Sequence, residues 1–185
     1  LVNKESGEEV NDYSKVDKNT IFLAGDFRLI SYEWGVTYAG MSLATEATGD
    51  QKYANYTNNR IQFIADILPH FKKLNENHPD VRTPVYSVLH PHALDDAGAM
   101  CAAIIKAQQT GNFNFNPIIN NYIDYVSNKQ FRLNDGTLAR NRPQPNTLWL
   151  DDLFMSVPAL AQMGAYSGDQ KYFDDAVKQV KLFSE

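Results

Sequence analysis

The sequence predicts an all-α fold built from helical hairpins, and two observations carry that expectation. The first is the spacing of apolar residues, for instance Ile61, Ile64, Ala65 and Leu68, which recur at the interval of one helix face. The second is a repeat. Thr48-Gly49-Asp50-Gln51-Lys52-Tyr53 matches Ser167-Gly168-Asp169-Gln170-Lys171-Tyr172 at an offset of 119 residues, from Gly49 to Gly168. Each copy has an apolar helix before it and an amphipathic one after it. Thr110-Gly111-Asn112-Phe113 reads as a middle copy. The glycine of each copy suits the left-handed residue that ends a helix, and the Asp or Asn after it suits the start of the next helix. Self-similarity of this kind marks a repeat architecture. The unit is a helical hairpin, and the chain holds three.

The elements follow in order. Residues 1 to about 20 are polar and mixed and read as irregular, and residues 21–185 read as the helical domain. Predicted helices run from about 29 to 45, 51 to 68, 94 to 109, 117 to 127, 150 to 166, and 170 to the end. Pro69 is compatible with the end of the second. Pro117 sits in the first turn of the fourth, where a missing N–H does no harm. Two long loops are expected, about 75–92 with Pro79, Pro84 and Pro91, and 129–147.

Composition narrows the function classes. With 185 residues, 43% hydrophobic and 21% charged, the chain can bury one real core. A net charge of −5 without a Lys/Arg run argues against nucleic acid or an anionic membrane as partner. No apolar run approaches the length of about 18 residues that spans a bilayer. Cys101 is the only cysteine and lies in the apolar run Met100-Cys101-Ala102-Ala103-Ile104-Ile105, so it reads as a small core residue. Leucine at position 1 favours a processed, periplasmic or secreted protein over a cytoplasmic one.

Acids mark the helix heads. Glu33, Asp95 and Asp152 each stand 16 residues before the glycine of their repeat. Acids there stabilise the positive end of a helix dipole. The alternative is a set of acids round one mouth, since hairpins packed side by side put their heads along one rim. Leu148-Trp149-Leu150-Asp151-Asp152-Leu153-Phe154-Met155-Ser156-Val157-Pro158 adds a tryptophan to two adjacent acids, just after Arg140-Asn141-Arg142-Pro143-Gln144-Pro145. The combination looks like a pocket rim with a sugar-stacking ring and an acid beside it.

Three segments together carry a family resemblance: Asp95-Asp96-Ala97-Gly98-Ala99 after His90-Pro91-His92, the Trp149-to-Pro158 segment, and Tyr166-Ser167-Gly168-Asp169-Gln170-Lys171-Tyr172. They resemble the unsaturated glucuronyl and rhamnogalacturonyl hydrolases, glycoside hydrolase families 88 and 105. Glu33-Trp34-Gly35-Val36-Thr37-Tyr38-Ala39-Gly40 fits the first barrel helix of the same family. The resemblance covers the chain from about residue 27. It implies an (α/α)6 barrel of six hairpins, of which these three would be the N-terminal half. The open apolar edges would then be covered by hairpins beyond this sequence, by another chain, or by oligomer contacts.

The resemblance also implies a reaction. Family members remove a 4,5-unsaturated uronic acid from the non-reducing end of an oligosaccharide left by a polysaccharide lyase. An acid protonates C4, water adds at C5, and the hemiketal opens and releases the aglycone. By family pattern Asp151 is the general acid/base, with Asp152 the alternative because the repeat register marks it. The second family acid falls in Asp95-Asp96: the Asp-x-Gly spacing favours Asp96, the repeat register Asp95. Trp149 is a candidate stacking platform, and Trp34 and Tyr38 are candidate pocket residues, each against a reading as core packing. Arg140 and Arg142 are candidate partners of a uronate carboxylate, against a reading as solvated loop arginines. His90 and His92, one residue apart, lack the further ligands of a metal site, which leaves His92 a loop or substrate-side role. No metal and no cofactor is implied. A sugar epimerase or conventional glycosidase on the same toroid, and a non-catalytic helical-repeat binding module, are the competing readings.

Overall fold

The computed structural model describes residues 1–23 and 29–184. Residue 27, where the resemblance begins, and Glu185 at the end of the last predicted helix lie outside the described residues. The helices are α1 (Tyr32–Thr48), α2 (Gln51–Asn77), α3 (Tyr86–Leu89), α4 (Leu94–Thr110), α5 (Asn116–Asp124), α6 (Leu150–Ser167) and α7 (Gln170–Ser184). Three hairpins result: α1 with α2, α4 with α5, and α6 with α7. None of the described helices is long and apolar enough to cross a membrane.

The repeat acts as its chemistry dictates in two copies and not in the third. Gly49 and Gly168 both take φ 73°, the left-handed region, and close α1 and α6. Asp50 Oδ1 then accepts from the Lys52 N–H at 3.0 Å, and Asp169 Oδ1 from the Lys171 N–H at 3.1 Å, which starts the next helix. Gly111 is extended instead, at φ −158°, and Asn112 caps nothing. Phe113 folds back so that its ring fills the space a Cβ on Gly111 would need. Small size, not left-handedness, is what that glycine supplies.

Other expectations need correcting. Residues 1–20 are not wholly irregular: β1 (Val2–Asn3) pairs antiparallel with β2 (Thr20–Ile21), and Tyr13 between them packs edge-on against Phe63 at 6.0 Å. Pro69 does not end α2, which runs on to Asn77. Proline forfeits one backbone bond inside a helix, but Ile67, Leu68 and Phe71 continue the buried face across it. Part of the 75–92 loop winds into the short α3. α5 opens into a wider π turn, Tyr125–Lys129, closed by the Gln130 N–H on the Tyr125 carbonyl at 2.8 Å. The 129–147 loop is pinned by antiparallel bridges at Arg132–Leu138 and Arg140–Thr147.

Helices α1, α4 and α6 pack side by side, with α4 in the middle. Glycines set their spacing. A Cβ on Gly35 of α1 would overlap the backbone at Ala99–Met100 of α4, and one on Gly98 of α4 would overlap the Met155 carbonyl of α6. Tyr38, Ile61, Ile64, Phe71, Ile104 and Tyr122 are fully buried in the core between these helices and the outer ones. Cys101 lies there too, its thiol pushed up to about 12 by burial. Apolar side chains remain exposed along the edges: Val36 and Leu43 on α1, Leu150 and Phe154 on α6.

An ion pair ties α7 to the pinned loop. Arg132 forks onto Asp175 at 2.9 and 2.6 Å, and the Gln179 amide adds a bond at 2.9 Å. Burial works against ionising Asp175, but Arg132 and Gln179 outweigh it and hold the carboxyl below its usual value. A depressed carboxyl contributes stability above its unfolded value that is lost as pH falls through the folded one. Asp175→Asn is therefore expected to cost about 2 kcal/mol near neutrality. That deficit should begin to shrink below about pH 4, the unfolded value, and vanish only as pH falls through the lower folded value and protonates the wild-type carboxyl. Urea denaturation at both pH values checks this, and an equal deficit at each would contradict it.

Candidate active site at the helix heads

The site follows from the glycine spacing. Gly98 abuts Met155, so the residues one turn earlier on each helix, Asp95 and Asp152, are neighbours at the same end of the molecule. Gly35 likewise abuts Ala99–Met100, which brings Tyr32 and Glu33 of α1 toward the same end. The Tyr32 phenol records this: Glu33 raises it most, and Asp95 and Asp151 add to the rise. None of the N-cap residues Ser31, Ala93 and Trp149 makes a side-chain cap bond. Asp95 of α4 and Asp151 and Asp152 of α6 thus share one mouth.

Arg140 is the hub of that mouth. Its backbone is fixed by the Thr147 bridge, at 2.8 and 2.9 Å. Its Nε and Nη2 donate to the two oxygens of Asp152, each at 2.8 Å. The same Nη2 reaches Asp151 Oδ2 at 3.0 Å and Asp95 Oδ1 at 3.2 Å. Its guanidinium lies over the Trp149 ring, 4.3 Å from the centroid, the face that attracts a cation. Oxygens of Asp95, Asp151 and Asp152 lie within 4.8 Å of one another, and the positive charge gathering them is this guanidinium.

The adjacent acids of α6 have opposite environments. Asp152 is 1% exposed and both its oxygens are engaged. Burial drives its carboxyl up from the usual value, Arg140 pulls it back, and the charges of Asp151 and Asp95 raise it further. The side chain of Asp151 is 47% exposed, and Arg140 holds it by Oδ2 alone among the described residues.

The adjacent acids of α4 also diverge. Asp95 turns to Arg140. Asp96 turns to the preceding loop, where its Oδ2 meets His92 Nδ1 at 2.5 Å and the His92 N–H at 3.0 Å. Arg142 Nη2 donates to the His92 carbonyl at 3.0 Å. His92 is thereby a loop residue bound to an acid and an arginine.

A cavity of about 470 Å³ opens at this mouth, and His92, Asp95, Arg140, Arg142, Trp149 and Asp152 are among its lining. Tyr125, from the π turn, completes one wall. Its hydroxyl donates to Gln130 Oε1 at 3.0 Å, and burial pushes it up to about 12, Arg142 opposing and Asp96, Asp152 and Asp95 assisting. Asp151 is exposed beside the cavity through its bond to Arg140.

The geometry distinguishes between the competing roles of four residues. Tyr38 is a core residue and not a pocket residue: it is fully buried and donates its hydroxyl to the Leu29 carbonyl at 3.0 Å. Trp34 is not among the cavity-lining residues; it packs on Tyr38 at 5.5 Å and Tyr56 at 6.3 Å between ring centroids. Asp96 joins His92, so Asp95 is the α4 acid that shares a partner with Asp151. Arg140 is no solvated loop arginine but the centre of the cluster. Tyr125 has no counterpart among the residues that sequence reasoning singles out. Its only sequence signal is its place at the end of the fourth predicted helix, and nothing there announces a π turn.

An exposed acid beside a stacking-capable tryptophan, with a partner acid on the neighbouring helix, is equipment for proton transfer to a bound sugar. Among curated proteins no match to the chain is found. A family model does match, over residues 2–185, and its family is the Glycosyl Hydrolase Family 88. Three hairpins, acids of two of them gathered at one mouth, and a match that spans nearly the whole chain agree: the protein is a glycoside hydrolase of the all-α, (α/α)-toroid type and belongs to Glycosyl Hydrolase Family 88.

Proposed function

We propose that the protein removes a 4,5-unsaturated uronic acid from the non-reducing end of lyase-generated oligosaccharides by hydrating the double bond. The observation that carries this reading is the contrast within one turn of α6. Asp152 is locked, whereas Asp151 is exposed and held through one oxygen. Asp151 is the proton donor. Its proton goes to C4 as the C4=C5 electron pair forms the new C–H bond. The C5 cation, stabilised by the ring oxygen, takes a water, whose proton returns to Asp151. The hemiketal opens at C5, and the freed hemiacetal at C1 expels the aglycone as an alcohol. Asp95 serves as the second acid, and Trp149 as the platform for the sugar ring. The cavity volume suits a ligand of disaccharide size. Arg142 supplies positive charge for the uronate. In the (α/α)6 ring that goes with this function, further hairpins or a second chain cover Val36, Leu43, Leu150 and Phe154.

The test is loss of ultraviolet absorbance when the full-length gene product meets lyase-made unsaturated disaccharides. Hydration destroys the conjugated chromophore, so a steady fall is expected. An epimerase or a binding module leaves the absorbance unchanged, and that outcome, together with release of a saturated sugar from a conventional glycoside, overturns the reading.

A further inference from the structure

Resting on that reading, we infer that Arg140 is the positioning residue of the reaction: it anchors one oxygen of Asp151 so that the other faces substrate. Asp152 cannot release Arg140, because a buried carboxylate stripped of its partner is severely destabilised. The Thr147 bridge fixes the same residue from the backbone side. The guanidinium plane is therefore set by groups outside the reaction. What remains of its reach falls on Asp151 Oδ2, Asp95 Oδ1 and the Trp149 face. No hydrogen bond to Asp151 Oδ1 occurs among the described residues, which leaves that oxygen to carry the proton. The platform and the acid are thus indexed to one rigid cation.

The charges gathered round Asp151 are one-sided. The other titratable groups round Asp151 are Asp152 on its own helix, Asp95 on α4, and Tyr32 at the head of α1. All of these are acids. Among the described residues Arg140 is the one cation in contact with Asp151. Removing its charge favours the protonated carboxyl. A general acid loses activity as pH rises through its pKa, so the alkaline limb of the kcat profile should move to higher pH.

The experiment compares wild type, Arg140→Gln and Arg140→Lys on an unsaturated disaccharide, with a carbon-13 carboxyl titration of Asp151 in each, all below the unfolding temperature that circular dichroism gives for each variant, because loss of the fork onto buried Asp152 lowers stability. Expected for Arg140→Gln is a kcat lower by about 10²-fold, KM within a few-fold, and both the alkaline limb and the Asp151 titration displaced upward. Arg140→Lys keeps the charge but not the fork, so its kcat should fall with the limb in place. A raised KM with unchanged kcat would make Arg140 a substrate-binding residue and overturn the inference. So would an Asp151 titration that stays put in Arg140→Gln while wild type turns over. Absence of turnover in wild type would instead sink the function proposed above, and the carboxyl titration would still decide the role of Arg140.

Discussion

Asp151→Asn is expected to reduce turnover of the unsaturated disaccharide by roughly 10²–10⁴-fold, the span that a positioned acid contributes, while the melting temperature stays close to wild type. The side chain is 47% exposed and holds one surface contact with Arg140, so its amide replacement strands nothing in the interior. Asp152→Asn should behave in the opposite way. It removes a carboxylate that is 1% exposed and fills both arms of a guanidinium fork, and about 2–3 kcal/mol of stability should go with it. The two asparagine variants, read by absorbance and by thermal unfolding, therefore separate chemistry from architecture within one turn of helix. A stable, fully active Asp151→Asn protein would remove Asp151 from the reaction.

Gly98→Ala is the second large effect, and it is expected to unfold the protein more easily although alanine is the better helix former. The propensity gain is about 1 kcal/mol. Against it stands a methyl group placed inside the Met155 carbonyl, which forces α4 and α6 apart and repacks the core at a net loss of roughly 2–3 kcal/mol. For a chain of 185 residues that corresponds to a melting temperature lower by roughly 4–12 °C. Gly40→Ala supplies the contrast. It lies within α1 with nothing within 4 Å of the added methyl, so the same change there should raise stability by about 0.5–1 kcal/mol. Calorimetry on both variants tests the argument, and two shifts of the same sign would refute it. Turnover in Gly98→Ala should fall as well, because Asp95 and Asp152 stand one turn from the wedge.

Why some of this is legible in the sequence and some is not is a matter of range. The hairpin repeat can be read because a left-handed glycine followed by an N-capping aspartate is a local device, complete within six residues. It fails at Gly111, where the deciding contact is a phenylalanine ring that local pattern does not encode. Pro69 misleads for the same reason: its backbone deficit is local, and the burial that outweighs it is tertiary. The acids stand out as a register, but register alone leaves two candidates in each adjacent pair. The choice between Asp95 and Asp96 depends on His92 and Arg140, which approach from loops on either side of α4. Arg140 itself lies in a segment rich in proline and polar residues, and its role appears only when the Thr147 bridge folds that segment over the head of α6. Tyr38 is drawn to the pocket by its neighbourhood in sequence, yet it points into the core because Gly35, three residues earlier, presses that face of α1 onto α4.

The placement of aromatic rings gives the molecule its own optical probe. The chain has two tryptophans, and both belong to the end that carries the acids: Trp34 near the head of α1, and Trp149 at the threshold of α6 with a guanidinium on its face. The fully buried aromatic residues are tyrosine and phenylalanine, so emission excited at the red edge comes from Trp149 at the mouth and from Trp34 packed on Tyr38 and Tyr56. A sugar that stacks on Trp149 or draws Arg140 away from it changes the environment of half the emitting population. Intrinsic fluorescence should therefore titrate ligand binding directly, even in variants such as Asp151→Asn that no longer turn substrate over.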